Sequence, residues 1–297
     1  MKALMFYGYV KTLLDLIRLR NALIAFAGIF IGAVVFSIGS PLMPFKVLAA
    51  AVSASLILSG GNAINDYFDV EIDRVNRPKR PIPSGRLSRS DALMAALTLF
   101  LLGLGFAKYI NGICLVMALL NIIILVLYAR YGKRLLLVSN LSVSYLVASV
   151  FIYGAASTYS PELWVNPDGL SLMAVLAVCA FFLTLSRELV KDIEDLEGDR
   201  KAYSVTAPIV YGTDNAKKMA FLAASAAIIL SFAPIILMPV NFNELLYGLF
   251  ILLTDAVVLF SFTTPPSVNQ HLLLFSMTLA LAAFLLSISV PMLHHAV

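Results

Sequence analysis

The chain has 297 residues, of which 61% are hydrophobic and 13% are charged, and its mean hydropathy is +0.93. Soluble domains carry about a quarter charged residues, so this composition excludes a soluble globular protein. We expect an all-α, polytopic membrane protein, because 297 residues leave room for about nine spans of about 20 residues with short loops. The net charge of +4 is less informative than the positions of the charges.

Apolar runs predict nine transmembrane helices along the chain. The first run could be mistaken for a signal peptide, but it is long and lacks a cleavage site of small residues, so we interpret it as a span. The predicted helices cover residues 17–38, 45–65, 91–108, 112–129, 137–157, 171–190, 215–237, 244–262 and 271–291.

The basic residues are concentrated in alternate connections. If the N-terminus lies in the cytoplasm, Lys46 and Lys108 are the two cations after the first span that fall outside. An excess of Lys and Arg in cytoplasmic loops sets the orientation of membrane proteins. The pattern therefore predicts a multi-pass protein of the cell membrane whose loops 66–90 and 191–214 both face the cytoplasm.

Two acidic strings of equal spacing interrupt the apolar sequence. Residues 66–73 and 192–199 both contain Asp-x2-Asp-x3-Asp, with an offset of 126 residues. On a helix these positions fall on one face, so each string would hold a stripe of three carboxylates. Mg²⁺ is typically held by carboxylates together with substrate phosphates, which predicts a metal-bound diphosphate between the stripes. The predicted metal ligands are Asp66, Asp69, Asp73, Asp192, Asp195 and Asp199.

The equal offset also predicts an internal repeat within a single domain of residues 1–297. The first string follows span two and the second follows span six, so a unit of four helices would recur in the same orientation. The pseudo-repeats would cover about residues 15–135 and 136–262, and a ninth helix at about 271–291 would lie outside them. The two acidic loops would then face each other across a central cavity.

Polar residues on apolar spans extend both stripes by one turn. Asn62 and Glu188 are again 126 residues apart and lie near the membrane boundary. Polar groups at such positions are costly and usually functional, although a hydrogen bond between packed helices is the alternative. Lys191, next to Asp192, would neutralise its stripe or hold a phosphate.

Basic and aromatic residues supply candidate substrate contacts. An arginine can reach phosphate oxygens in pairs, but a topology signal or a lipid headgroup contact explains a single arginine equally well. A tyrosine ring attracts cations, although interfacial aromatic belts also contain tyrosines. The predicted substrate-binding residues are Arg20, Asn62, Arg77, Arg80, Tyr128, Lys133, Arg134, Tyr145 and Glu188. Asp255, within span eight, is either a packing partner or a substrate contact.

The motifs N-D-x2-D-x3-D at residues 65–73 and K-D-x2-D-x2-G-D at residues 191–199 resemble those of the UbiA superfamily of intramembrane prenyltransferases. The resemblance covers essentially the whole chain. It implies an all-helical bundle around a central cavity that opens sideways to lipid. It also implies Mg²⁺-dependent transfer of a prenyl group from a prenyl diphosphate to a lipid-soluble acceptor.

Residues 186–199 look like the archaeal branch of this superfamily, which makes digeranylgeranylglyceryl phosphate for ether lipids. They differ from the 4-hydroxybenzoate enzymes, whose second motif contains adjacent aspartates. Homogentisate-type and chlorophyll synthases share part of the pattern, so an aromatic acceptor of the 4-hydroxybenzoate, homogentisate or naphthoate type is the alternative. The resemblance implies transfer of a geranylgeranyl group from geranylgeranyl diphosphate to the free hydroxyl of geranylgeranylglyceryl phosphate.

In this mechanism we expect two Mg²⁺ ions, for which Mn²⁺ can substitute, to neutralise the departing diphosphate. A transporter of divalent cations or organic phosphates is the alternative from another class, but its coupling residues are expected near mid-membrane. We expect no nucleic-acid partner and no obligate protein partner. The predicted catalytic residues are Asn62, Asp66, Asp69, Lys191, Asp192 and Asp195.

Overall fold

The computed structural model describes residues 2–38, 42–159, 167–201 and 203–288, and their regular structure is almost entirely helical. Its helices in chain order are α1 (Lys2–Ile17), α2 (Leu19–Phe36), α3 (Pro44–Phe68), α4 (Val70–Asn76), α5 (Arg89–Ile110), α6 (Gly112–Tyr131), α7 (Val138–Ser157), α8 (Pro167–Glu194), α9 (Leu196–Lys201), α10 (Ala207–Tyr211), α11 (Thr213–Ser231), α12 (Ala233–Leu237), α13 (Glu244–Ser261) and α14 (Pro266–Ser287).

Nine segments of the described residues are long and apolar enough to cross a membrane. They are α2, α3, α5, α6, α7, α8, the pair α11 and α12, α13 and α14. Each of them overlaps one of the nine spans that the sequence predicts. The predicted all-α, multi-pass fold is therefore confirmed, whereas the helix α1 before the first span was not predicted.

Prolines and one capping side chain define where several helices begin. Pro44, Pro167 and Pro266 are the first residues of α3, α8 and α14. Proline suits the first position of a helix, because the amide that it lacks has no partner there. The side chain of Asn111 accepts a hydrogen bond from the amide of Cys114 at 2.8 Å and so begins α6.

The helix bounds recur at the offset of the acidic strings. The helices α3 and α8 end at Phe68 and Glu194, and α4 and α9 begin at Val70 and Leu196, so both pairs are 126 residues apart. The helix α3 packs mainly on α2 and α5, and α8 packs mainly on α7 and α11. We propose on these grounds the two parallel pseudo-repeats, with α14 as the additional helix against α13 and α8.

The helices α2 and α7 cross at a pair of glycines. A Cβ atom built at Gly32 would lie 2.2 Å from the carbonyl oxygen of Phe151, and one at Gly154 would lie 2.1 Å from that of Ile29. Small residues let helix backbones approach closely in membranes, and at this crossing nothing larger than glycine fits. In the proposed repeat the crossing joins the two halves of the protein.

We predict that Gly32→Val and Gly154→Val lower the thermal stability of the protein in detergent. The added side chain must push the two backbones apart, and overpacking of this kind costs about 1–3 kcal/mol. The matched control is Gly105→Val, because a Cβ atom at Gly105 meets no atom within 4 Å. Equal melting temperatures for Gly32→Val and the control would contradict a tight crossing.

Asp255 is a packing residue in this structure. Its carboxylate is buried on α13 and accepts a hydrogen bond from the Ser231 hydroxyl at 3.1 Å. The carbonyl oxygen of Ser231 accepts a second bond from the Tyr247 hydroxyl at 2.8 Å. These contacts tie α13 to the end of α11, and they favour the packing alternative over a substrate contact.

Candidate active site

Both acidic strings cross the end of a membrane span. The sequence predicts that each string lies on one helix, but Asp69 lies between α3 and α4, and Asp195 lies between α8 and α9. The hydrogen bonds nevertheless continue in steps of four residues. The amides of Asp69, Asp73, Asp195 and Asp199 donate to the carbonyl four residues earlier at 2.9, 2.8, 2.9 and 2.9 Å. The carboxylates of each string therefore remain in one stripe although the helix is interrupted. The interruption lies at the same position in both strings.

The first stripe is buried and paired with arginines. Asp66, Asp69 and Asp73 are only 2%, 6% and 4% exposed. One oxygen of Asp66 accepts hydrogen bonds from Arg18 at 2.7 Å and from Arg80 at 3.2 Å, and Arg80 also pairs with Asp73. Buried carboxylates are costly unless they are paired, so the two guanidinium groups stabilise this stripe.

Arg18 reaches Asp66 from an unusual backbone conformation. It lies between α1 and α2 with φ 51° and ψ 63°, in the left-handed region. This region costs a residue other than glycine about 1–2 kcal/mol. Because the turn aims the side chain at the first aspartate of the motif, we infer that the contact compensates for the strained backbone.

The second stripe is more open and is held differently. Asp192 is half-buried and accepts a hydrogen bond at 2.8 Å from the side-chain amide of Asn140, which is buried near the start of α7. Asp195 is exposed and Asp199 is half-buried. The first aspartate of each motif is thus held by side chains from outside its own helix, by Arg18 and Arg80 in one copy and by Asn140 in the other.

Glu188 lies at the centre of a small ionic cluster on α8. Its carboxylate accepts hydrogen bonds from Arg187 at 2.9 Å and from Lys191 at 3.4 Å. Lys191 also interacts electrostatically with Asp192. The structure therefore places Lys191 where it partly neutralises the second stripe, which is one of the two roles that the sequence suggested.

Tyr128 on α6 lies near charged groups of both stripes. The charges that act on its hydroxyl come from Lys191 and Glu188 on α8, from Asp69 beyond the end of α3, and from Arg18. Both acidic strings therefore lie at the same end of the bundle.

A basic pocket adjoins the first stripe. It has a volume of about 470 Å³ and lies between α1 and the loop that follows α4. Arg86 orders this loop, because it donates to Asp15 and to the carbonyl oxygen of Lys79, both at 2.7 Å. Arg80 contacts both the pocket and the stripe, so the two sites are contiguous. The pocket is lined by Asp15, Arg77, Pro78, Lys79, Arg80, Pro81 and Arg86.

The other residues that the sequence predicts to bind substrate differ in their burial and contacts. Asn62 is buried, and its side chain donates to the carbonyl oxygen of Ile17 at 3.0 Å, so it fastens α1 to α3. Tyr145 is half-buried on α7. Arg20 and Arg134 are exposed, and the side chain of Lys133 lies outside the described residues.

The acids of the two stripes fit a magnesium site by donor type. Their ligand atoms are carboxylate oxygens, which are the ligands that Mg²⁺ prefers. Among the described residues, however, no three or more His, Cys, Asp or Glu side chains are gathered into a ready metal cluster. Arg18 and Arg80 share one oxygen of Asp66, and Arg80 also contacts one oxygen of Asp73. A metal ion that binds these particular oxygens would share or replace these contacts.

Comparisons with known proteins show the family of this chain. The model of the UbiA prenyltransferase family matches residues 23–265. The chain belongs to the UbiA prenyltransferase family. The digeranylgeranylglyceryl phosphate synthase of Methanopyrus kandleri is 38% identical over 284 residues, which are 94% of this chain and 100% of the relative. That of Methanothrix thermoacetophila is 40% identical over 237 residues, with 78% and 82% covered.

Solved structures show the same fold. One described as a digeranylgeranylglyceryl phosphate synthase in membranes has a TM-score of 0.80 at 31% identity and covers 94% of this chain and 98% of its own. A UbiA homologue from Archaeoglobus fulgidus, bound to DMAPP and Mg²⁺, has a TM-score of 0.66 at 19% identity and covers 94% and 99%. This UbiA family member is therefore a prenyltransferase, and the transporter alternative is wrong.

Two residues of the site in this UbiA family member are not predicted from the sequence. The sequence indicates Arg20 at the mouth of the first span, but Arg18 makes the contact with Asp66. Asn140 is the second such residue, although its position as a polar residue at the start of an apolar run is a signal that could indicate it. Its partner Asp192 is 52 residues away along the chain, and the sequence gives no sign of that pairing.

Proposed function

We propose that this enzyme transfers a geranylgeranyl group from geranylgeranyl diphosphate to the free hydroxyl of geranylgeranylglyceryl phosphate in archaeal ether-lipid synthesis. The main support is the match over the full length of the Methanopyrus synthase at 38% identity. The geometry agrees with two phosphate groups, because a basic pocket lies next to the acidic site. An aromatic acceptor has one acidic group at most and would leave part of this charge unused.

We propose that Asp66, Asp69, Asp192 and Asp195 hold Mg²⁺ or, in its place, Mn²⁺, with Asp73 and Asp199 as outer ligands and two ions as the expected number. When bound, the metal supplies Lewis-acid neutralisation of the leaving diphosphate. The support is the oxygen donor set of the two stripes and the position of Tyr128 near charged groups of both.

The basic residues act on the diphosphate directly. Arg77 and Arg80 lie in one ordered loop, and Arg80 already bridges two aspartates of the first stripe. Lys191 lies beside the second stripe. Fixed positive charge at these positions stabilises the negative charge that develops as the diphosphate departs. Arg18 holds Asp66 in place and reaches the same site.

The allylic carbon then has cation-like character. The ring of Tyr128, which lies among the charged groups of both stripes, stabilises such a centre by a cation–π contact, and Tyr145 on α7 is the second candidate for this role. The acceptor hydroxyl attacks this carbon while the bond to the diphosphate breaks, and the hydroxyl proton passes to the departing diphosphate. The apolar spans exclude water, which would otherwise convert the cation to an alcohol.

The distribution of charge supports a position in the cell membrane with the site on the cytoplasmic side. Both acidic strings and the basic pocket lie at one end of the bundle. The positively charged loops are concentrated there, and cytoplasmic loops carry the excess of Lys and Arg. Diphosphates and Mg²⁺ are present on that side.

The acceptor is tested with purified enzyme, Mg²⁺ and radiolabelled geranylgeranyl diphosphate. We expect product with geranylgeranylglyceryl phosphate and none with 4-hydroxybenzoate or homogentisate. The dephosphorylated glyceryl ether is the matched control. Because a charge-assisted contact contributes about 1.5–3 kcal/mol, its kcat/KM should be about 10- to 150-fold lower. If the aromatic acids are prenylated and the glyceryl phosphate is not, the acceptor proposal is wrong while the family assignment stands.

A further inference from the structure

A cavity of about 50 Å³ lies within the membrane-spanning part of the protein, among α2, α3, α6 and α7. Its walls are mainly apolar side chains of these four helices. A water-sized group needs about 10–15 Å³ of such space, so the cavity has room for about four groups of that size. This is about the size of one isoprene unit. Its lining includes Ala54, Leu58, Asn121, Leu125, Leu146 and Tyr153.

The cavity lies deeper in the membrane than the candidate active site, on the same face of α6 as Tyr128. Asn121 and Leu125 line it, and Tyr128 follows them on α6 at spacings of four and three residues. Residues at these spacings share one helix face. The rise of 1.5 Å per residue places Asn121 about 10 Å from Tyr128 along the helix. A chain that extends from a diphosphate beside Tyr128 along this face arrives at the cavity.

A hydrogen-bonded wall lies at the end of the cavity that is farther from the active site. The Tyr153 hydroxyl lies 2.8 Å from the Ser53 hydroxyl, which donates to the carbonyl oxygen of Gly103 at 2.7 Å. Because the Ser53 proton is directed to Gly103, Tyr153 is the donor in the first contact. Tyr153 and Ser53 are buried. The wall therefore links α7, α3 and α5 and fixes the position of the tyrosine ring.

The distance from the acids to this wall limits the length of the chain. Asp66 and Ser53 both lie on α3, and their separation of 13 positions corresponds to about 20 Å. Ordinary bond lengths give about 5 Å for each extended isoprene unit. At most four units therefore fit between the first stripe and the wall, and a fifth would meet the tyrosine ring.

We propose that Tyr153, held by Ser53, ends the channel for the prenyl tail and selects a donor of four isoprene units. This inference rests on the proposed function and adds a specificity-determining residue to it. Ala54 and Leu58 line the same cavity, so a larger side chain there shortens the channel.

The test measures binding of the thiolo-diphosphate analogues of the C15, C20 and C25 donors by calorimetry in the presence of Mg²⁺. We expect the unchanged enzyme to bind the C20 analogue at least tenfold more tightly than the C25 analogue. Tyr153→Ala should abolish this preference, and Ala54→Phe should shift it to C15. Tyr153→Phe keeps the ring and should keep the preference for C20.

If the Tyr153→Ala protein does not fold, the affinities of the Ala54→Phe protein still test the proposal. An unchanged order of affinities in the folded Ala54→Phe protein overturns the proposal, and so does a tenfold preference for C25 in Tyr153→Phe. Because binding is read without an acceptor, the result is separate from the proposed function. Failure to prenylate geranylgeranylglyceryl phosphate in the product assay would overturn that function alone.

Discussion

Replacing Asp66 or Asp195 with asparagine lowers kcat at least 100-fold, which corresponds to about 2.7 kcal/mol of transition-state stabilisation. Each substitution removes one negative charge and one oxygen ligand from a stripe on which the leaving diphosphate depends. The measurement is transfer of radiolabelled prenyl groups by purified protein. Activity should also vanish with EDTA and return with Mg²⁺ or Mn²⁺.

The Asp66→Asn and Asp195→Asn variants distinguish an effect on catalysis from an effect on stability. Asp66 is buried between Arg18 and Arg80, so Asp66→Asn also leaves charges without their partner and lowers the melting temperature. Asp195 is exposed, and its substitution should leave the melting temperature unchanged. Asp214→Asn, on the exposed first turn of α11, is the control for surface charge. Full activity of the Asp195→Asn protein would contradict a role for the second stripe.

Removing the side chain of Arg18 lowers kcat/KM for the donor about 10- to 150-fold, because a charge-assisted contact of about 1.5–3 kcal/mol is lost. Two variants distinguish the contribution of the Arg18 side chain to activity from the effect of its backbone conformation on stability. Arg18→Ala and Arg18→Gly both lose the guanidinium group, but glycine adopts the left-handed conformation at φ 51° without strain. We therefore expect equal activity loss in both and a melting temperature for Arg18→Gly at or above that of Arg18→Ala.

Lys11→Ala is the matched control for Arg18, because Lys11 is an exposed cation on α1. It should retain the activity of the unchanged enzyme. The half-saturating Mg²⁺ concentration gives a second readout. It should not rise in either Arg18 variant, since the arginine occupies an oxygen of Asp66 that the metal would use. Unchanged kcat/KM in both variants would contradict a role for Arg18 in the active site.

Local sequence signals predicted the spans and the acidic strings well. A membrane span needs about 20 apolar residues regardless of its neighbours, so each run was recognisable by itself. The strings were recognisable because they recur at a fixed offset, which the ends of α3 and α8 reproduce. The family resemblance inferred from the two motifs is confirmed by the match of residues 23–265.

Contacts between residues that are far apart along the chain could not be predicted from the sequence. Arg18 reaches Asp66 only because of a left-handed turn, and nothing in the residue type indicates that turn. Asn140 and Asp192 meet because α7 packs on α8. The breaks at Asp69 and Asp195 were also missed, since the residues around them favour a continuous helix. Sequence thus located the acids but not the groups that hold them.

The difference between the two stripes has a consequence for the reaction. Asp66 is held by two guanidinium groups, whereas Asp192 is held by the neutral amide of Asn140. The second stripe is also more exposed, since Asp195 lies in contact with solvent. We therefore expect the second stripe to bind a metal ion more readily in the absence of substrate, and the first to do so together with the diphosphate.

The most direct test of a shared site is a structure of the enzyme with Mn²⁺ and a thiolo-diphosphate analogue of the donor, in which the anomalous signal locates the metal. We predict Mn²⁺ at Asp66 and Asp69 and at Asp192 and Asp195, with the diphosphate between the two stripes and beside Tyr128. Mn²⁺ at one stripe alone, with the diphosphate out of reach of the other, would contradict it.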